Sequence, residues 1–231
     1  MKAMKARSIL ILAIAAFAFG FFGNARAQTS TGPQVLITWK AVDSMAPAAY
    51  QGKALPGVGS KIVASVEVIS NGGFANLGSR TIYWYLDGGL IGGGVGKQTV
   101  TFTANGYVGI MGLRVNIPNY PGGALINTAH IQMMNPQAVI VAPYPGKSFS
   151  QSPVQLQAIP YFFKTSAANK ILFEWTVNGE AVATKENPQN LTINLAGNAA
   201  PGYALSVNLI LQQSDDPLTT ARASTIITKA N

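Results

Sequence analysis

The chain has no cysteine among its 231 residues. That absence excludes disulfide bridges, thiolate metal sites, a cysteine nucleophile and lipid attachment at an N-terminal cysteine. Histidine is nearly as scarce. With His130 as the single one, no metal site can use two imidazoles, and any Ser-His-acid triad would have to be built on that residue. Its alternation with Ala129 and Ile131 makes His130 an exposed strand residue. Charge is thin as well: Asp, Glu, Lys and Arg make up 10% of the chain. The basic residues are scattered singly, without runs and without interleaved aromatics, which gives nucleic-acid binding no support. Among the acids only Asp215 and Asp216 are adjacent. They sit in Ser214-Asp215-Asp216-Pro217, which is turn chemistry rather than a carboxylate pair held across a cleft. Neither a metal nor a cofactor is expected.

The N-terminal 27 residues read as an export signal. Lys2, Lys5 and Arg7 precede an apolar run from Ile9 to Gly23, and Ala25-Arg26-Ala27 supplies small residues at alternate positions for cleavage. The run falls short of the roughly 20 residues that span a bilayer as helix. The exported chain is therefore expected to begin at Gln28 and not to span a membrane. Four of the 16 basic residues (Lys2, Lys5, Arg7, Arg26) lie in the signal and all eight acids lie after it, so the net charge from Gln28 onward is 12 − 8 = +4 rather than +8.

What the chain does contain is a repeat. Tyr50-Gln51-Gly52-Lys53 returns as Tyr144-Pro145-Gly146-Lys147, Trp84-Tyr85-Leu86-Asp87-Gly88 as Trp175-Thr176-Val177-Asn178-Gly179, and Leu113-Arg114-Val115-Asn116-Ile117 as Leu205-Ser206-Val207-Asn208-Leu209. The offsets are 94, 91 and 92 residues, in the same order. A period of that length suits a whole small domain, so the expected organisation is a signal over 1–27, one domain over 28–134 and a second over 135–231. Short runs rich in Val, Ile, Thr and aromatics, broken by Gly and Pro every ten or so residues, predict an all-β fold. Strands are expected at 34–41, 61–70, 80–86, 98–104, 107–117 and 124–134, with a short one near 89–92. In the second copy they are expected at 137–142, 153–163, 170–177, 180–184, 190–195, 203–212 and 219–228.

Alternation assigns faces. Ile82, Trp84 and Leu86 share one side of their strand and Tyr83 and Tyr85 the other, while Ile171, Phe173, Trp175 and Val177 share a side in the second copy. Each Trp strand ends in Asp87-Gly88 or Asn178-Gly179, a signature of a tight hairpin. A mid-strand Trp followed by Asx-Gly and, some 30 residues later, by a strand such as 113–117 or 205–209 resembles the immunoglobulin-like and PKD-like β-sandwiches of bacterial exported and cell-surface proteins. The resemblance covers both copies and implies two tandem sandwiches. It lacks the cysteine pair of antibody domains. Such sandwiches serve as adhesins, spacers, carbohydrate-binding modules and accessory domains of enzymes.

The Gly-rich stretch 88–97 is not a phosphate loop. Position 91 is Ile where a Gly is required, Lys97 is followed by Gln98, and no helix follows; a mobile hairpin loop is expected. The recurring Lys53/Lys147 and Asn116/Asn208 invite a Lys–Asn cross-link, but no acid recurs beside them, so solvated lysines and exposed asparagines are expected. The most plausible binding surface is aromatic: Tyr83 and Tyr85 on the outer face of the Trp84 strand, and Tyr161 and Phe163 in Pro160-Tyr161-Phe162-Phe163, as rings that stack on sugars or dock into a partner. The expected function is a non-enzymatic exported interaction or scaffold protein at the cell surface or in the periplasm, with a protein or surface polysaccharide as partner. A carbohydrate-binding module is the alternative, and an accessory domain pair of an extracellular enzyme system the third.

Overall fold

A computed structural model describes residues 32–106, 108–165, 167–184, 187–195 and 199–230. The expected export signal and the expected N-terminus at Gln28 lie outside the described residues. The strands in order are β1 (Gln34–Ala41), β2 (Lys61–Ser70), β3 (Gly73–Phe74), β4 (Thr81–Leu86), β5 (Gly89–Val95), β6 (Thr99–Thr103), β7 (Ile110–Ile117) and β8 (Leu125–Gln132). They continue as β9 (Gln137–Val141), β10 (Ser148–Phe149), β11 (Val154–Tyr161), β12 (Ile171–Val177), β13 (Glu180–Val182), β14 (Asn190–Ile193), β15 (Ala204–Gln213) and β16 (Asp216–Lys229). The only helical turns described are short 3-10 segments at Pro145–Lys147 and Ala168–Lys170. Among the described residues no helix is long and apolar enough to cross a membrane.

The strands pair into four sheets. β1, β2 and β6 form one, extended by β3, and β5-β4-β7-β8 form another. The order then recurs, with β9-β11-β14 in one sheet and β13-β12-β15-β16 in another. First, second and fifth major strands in one sheet, with third, sixth and seventh in the other, is the layout of an immunoglobulin-like β-sandwich. Two features departed from expectation. The short strand expected near 89–92 is present and continues through the glycines expected as a mobile loop: Gly89–Val95 is an edge strand, with a bulge opposite Trp84 and Tyr85. The two-residue β10 pairs in parallel with the end of β16, a long-range contact that local pattern does not signal.

Each pair of sheets encloses its own apolar cluster. Ile62, Ala64, Val66 and Val68 of β2 pack with Ile82 and Trp84 of β4 and with Leu113, Val115 and Ile117 of β7. The second cluster joins Val154, Leu156 and Ala158 of β11 to Trp175 of β12 and to Leu205, Val207, Leu209 and Leu211 of β15. Alternate residues of these strands face the core, all buried except the partly buried Leu86 and Phe173 among the apolar ones, as period-2 patterning requires. Fully burying an aliphatic side chain stabilises by about 1.5–3 kcal/mol, so these rows dominate the folding energy.

The repeat is present in space as well as in sequence. Trp84 and Trp175 are both buried, and each indole N–H donates to a backbone carbonyl 13 residues on: Trp84 Nε1 to Lys97 O at 2.9 Å, Trp175 Nε1 to Pro188 O at 3.0 Å. Asp87 (φ 47°) and Asn178 (φ 51°) both open turns in the left-handed region. Asp87 Oδ1 accepts from Gly112 N at 2.8 Å, and Asn178 Oδ1 from Ser206 N at 2.9 Å. These contacts correct the third sequence match. Trp84 lies opposite Val115, and Trp175 opposite Leu209 rather than Val207, so the true offset there is 94 rather than 92. A two-residue slip leaves every side chain on the same face, which is why pattern matching cannot see it.

Candidate functional site

The outer face of the β5-β4-β7-β8 sheet carries Tyr83 and Tyr85. Trp84 between them points into the core, so strand alternation alone sends both tyrosines outward. In register, Tyr83 lies between Gly93 and Asn116, and Tyr85 between Leu90 and Arg114. β8 completes the face with Ile126, Thr128 and His130 opposite Asn116, Arg114 and Gly112.

The glycines of β5 shape this surface. A methyl group placed on Gly93 would lie 2.5 Å from Tyr83 Cδ1 and 3.2 Å from Cε1. One edge of the Tyr83 ring therefore lies against the Gly93 backbone, and the tyrosine is half-buried. Gly93 is required for that close approach. Beside it the Arg114 guanidinium lies over the Tyr85 ring, its central carbon 4.6 Å from the ring centroid, a cation–π contact. Arg114 has no ion-pair partner among the described residues, where the one salt bridge joins Lys170 to Asp215 at 3.1 Å. Asn116 Oδ1 is sealed from solvent and has no hydrogen-bond partner. His130 is exposed.

The second expected aromatic pair is not brought to a binding surface. β11 ends at Tyr161, and Phe162 adopts φ 60°, so strand parity breaks there. Phe163 is consequently fully buried in the second core, a correction to its expected place among exposed rings. Tyr161 is half-buried, edge-on to Tyr50 at 5.9 Å. These residues serve a contact that sequence reasoning missed. The connection between β1 and β2 crosses to the second core: Met45 N donates to Phe163 O at 2.9 Å, Phe162 N donates to Met45 O at 2.7 Å, and the Met45 side chain joins the second cluster. Pro56 O accepts from Met134 N at 2.9 Å nearby. No local periodicity announces such a crossing.

The other groups weighed from sequence stay apart. Lys53 Nζ stands 4.1 Å over the Trp39 ring rather than beside Asn116, while Lys147 and Asn208 are exposed. Among the described residues no three His, Cys, Asp or Glu side chains are grouped to hold a metal ion. A cavity of about 460 Å3 beside Gly57, Phe162 and Leu218 has Lys164 and Arg222 as its ionisable groups, with no carboxylate or imidazole.

No family model matches the chain, and no curated protein matches it. Among solved structures, the fibronectin(III)-like modules of Clostridium thermocellum CbhA align over 84% of this chain and 94% of theirs at 15% identity and a TM-score of 0.29. Three N-terminal domains of the bacteriophage RB49 outer capsid protein Hoc align over 86% of this chain and 59% of theirs, at 17% identity and a TM-score of 0.44. A Bacteroides ovatus protein, SGBP-B of a mixed-linkage glucan utilization locus, solved in complex with a mixed-linkage heptasaccharide, aligns over 87% of this chain and 47% of its own, at 13% identity and a TM-score of 0.26.

Proposed function

We propose that this chain is a non-enzymatic, exported interaction protein of two tandem immunoglobulin-like domains, 28–134 and 135–231, and that the first domain binds its partner through the outer face of β5-β4-β7-β8. One observation carries this reading. The two copies keep the same interior, with Trp84 matched by Trp175 and Val115 by Leu209, yet they differ on the outer face. In register, Tyr83, Tyr85 and Arg114 correspond to Glu174, Thr176 and Asn208. The same sandwich is thus built without the rings and the guanidinium. Tyr83 and Tyr85 are half-buried and Arg114 is exposed; their presence in one copy answers to something other than folding, and Tyr and Arg are enriched among the anchors of interfaces.

The test is Tyr83→Ala combined with Tyr85→Ala, with Glu174→Ala combined with Thr176→Ala as the control on the matched face. Binding is measured to cell-envelope fractions of the exporting cell and on a glycan array, alongside thermal melts. The tyrosine pair should weaken binding about thirtyfold, equivalent to roughly 2 kcal/mol at an interface anchor, with melting little changed. The control should bind as the parent does. A tyrosine double variant that folds and binds like the parent overturns the assignment of the face.

A further inference from the structure

We propose that the ligand of this face is a carboxylated polysaccharide, one built from uronic-acid sugars, with Arg114 as the residue that selects its charge. This rests on the reading of the Tyr83/Tyr85 face above and specifies its ligand. Three observations converge. Tyr83 rests with one ring edge against Gly93 and is partly exposed, so the exposed part of the ring offers an apolar surface to a pyranose. Arg114 lies over the Tyr85 ring and has no carboxylate partner among the described residues. Its guanidinium is planar by its own bonding, and the fork of N–H donors matches a carboxylate bidentately. Arg114 is the diagonal neighbour of Tyr83 in the register, and such positions lie roughly 7–8 Å apart across a sheet. A sugar stacked on Tyr83 therefore brings a ring carboxylate within reach of the long Arg114 side chain.

Charge on the face favours an anion. Arg114 and His130 are its ionisable groups besides the tyrosines, and the one acid at its margin, Asp87, already accepts from Gly112 N. The polar remainder favours a glycan over an acidic peptide. Thr128 lies opposite Arg114 on β8 and is exposed, and its hydroxyl both donates and accepts. Sugar hydroxyls supply donors and acceptors together, whereas ionised Asp and Glu side chains supply acceptors only.

The experiment titrates the exported protein with polygalacturonate, with the same polymer methyl-esterified, and with poly-glutamate, at low and at physiological salt. The expected result is binding to polygalacturonate that weakens with salt and is lost on esterification. Arg114→Gln should weaken that binding at least about tenfold, the usual effect of removing a hydrogen-bonded charge. The variant should leave melting unchanged because the side chain is exposed. Gly93→Ala, which pushes the Tyr83 ring off its seat, should weaken binding while retaining the salt dependence. Binding to poly-glutamate as strong as to polygalacturonate overturns the glycan class, and binding that survives esterification or Arg114→Gln overturns the role of the charge. If neither polymer binds while another ligand still depends on Tyr83 and Tyr85, this proposal falls and the assignment of the face stands. If no ligand depends on those tyrosines, both fall.

Discussion

Met45 precedes β2 in the first half of the chain, yet its side chain completes the second core. Replacing it should therefore weaken the half of the protein to which it does not belong in sequence. The substitution Met45→Ala keeps the backbone pair with Phe162 and Phe163, because both bonds use main-chain atoms, and so isolates the side chain. Met45 is 9% exposed, at the border of burial, which places the loss near the lower end of the 2–5 kcal/mol typical of core Met→Ala changes, at about 2 kcal/mol. For amides that exchange through unfolding of that half, this is about thirtyfold faster hydrogen exchange. Peptides covering Val154–Tyr161 and Ile171–Val177 should lose protection, while those covering Lys61–Ser70 and Thr81–Leu86 should change less. Unchanged protection in the C-terminal peptides, or a loss confined to the N-terminal ones, would refute the claim that Met45 contributes to the second core.

Three further outcomes are expected. Trp84→Ala and Trp175→Ala should each cost about 3–5 kcal/mol, the first weakening the β2-β4-β7 core and the second the β11-β12-β15 core, as read by intrinsic fluorescence of the remaining tryptophans during denaturant unfolding. Gly96→Ala should lower the melting temperature, because Gly96 has φ 67° and an added methyl would sit 2.7 Å from Gly78 O, a combination that destabilises by more than the roughly 1 kcal/mol a compatible Gly→Ala exchange gains. Asp215 is held below the usual carboxylate value first by the Gln213 side-chain hydrogen bond and then by Lys170. Its contribution is complete above the ordinary Asp value of about 3.9 and is lost as pH falls through the lowered value, so Asp215→Asn should be less stable than the parent at neutral pH and equal to it in strong acid, measured as thermal melts across pH.

The sequence by itself determined most of the strands and their faces, because these follow from local rules. Alternation with period 2 writes the buried rows of β2, β4, β7, β12 and β15 directly into the chain, and Asp87-Gly88 and Asn178-Gly179 mark turns through backbone conformations that few residues adopt. The outward placement of Tyr83 and Tyr85 came from the same parity. What only the tertiary structure decided depends on contacts between distant segments or on breaks in that parity. The alignment of β7 with β15 was hidden by a slip of two residues that preserves every face. Phe163 was misplaced because the left-handed turn at Phe162 ends the alternation without a glycine to announce it. The close approach of Tyr83 to Gly93, the cation–π contact of Arg114 with Tyr85 and the passage of Met45 into the second core each join residues whose proximity is set by packing and register. Hydrophobic burial is non-directional: it tells each residue to go inside, and the assembled sheets determine which core receives it.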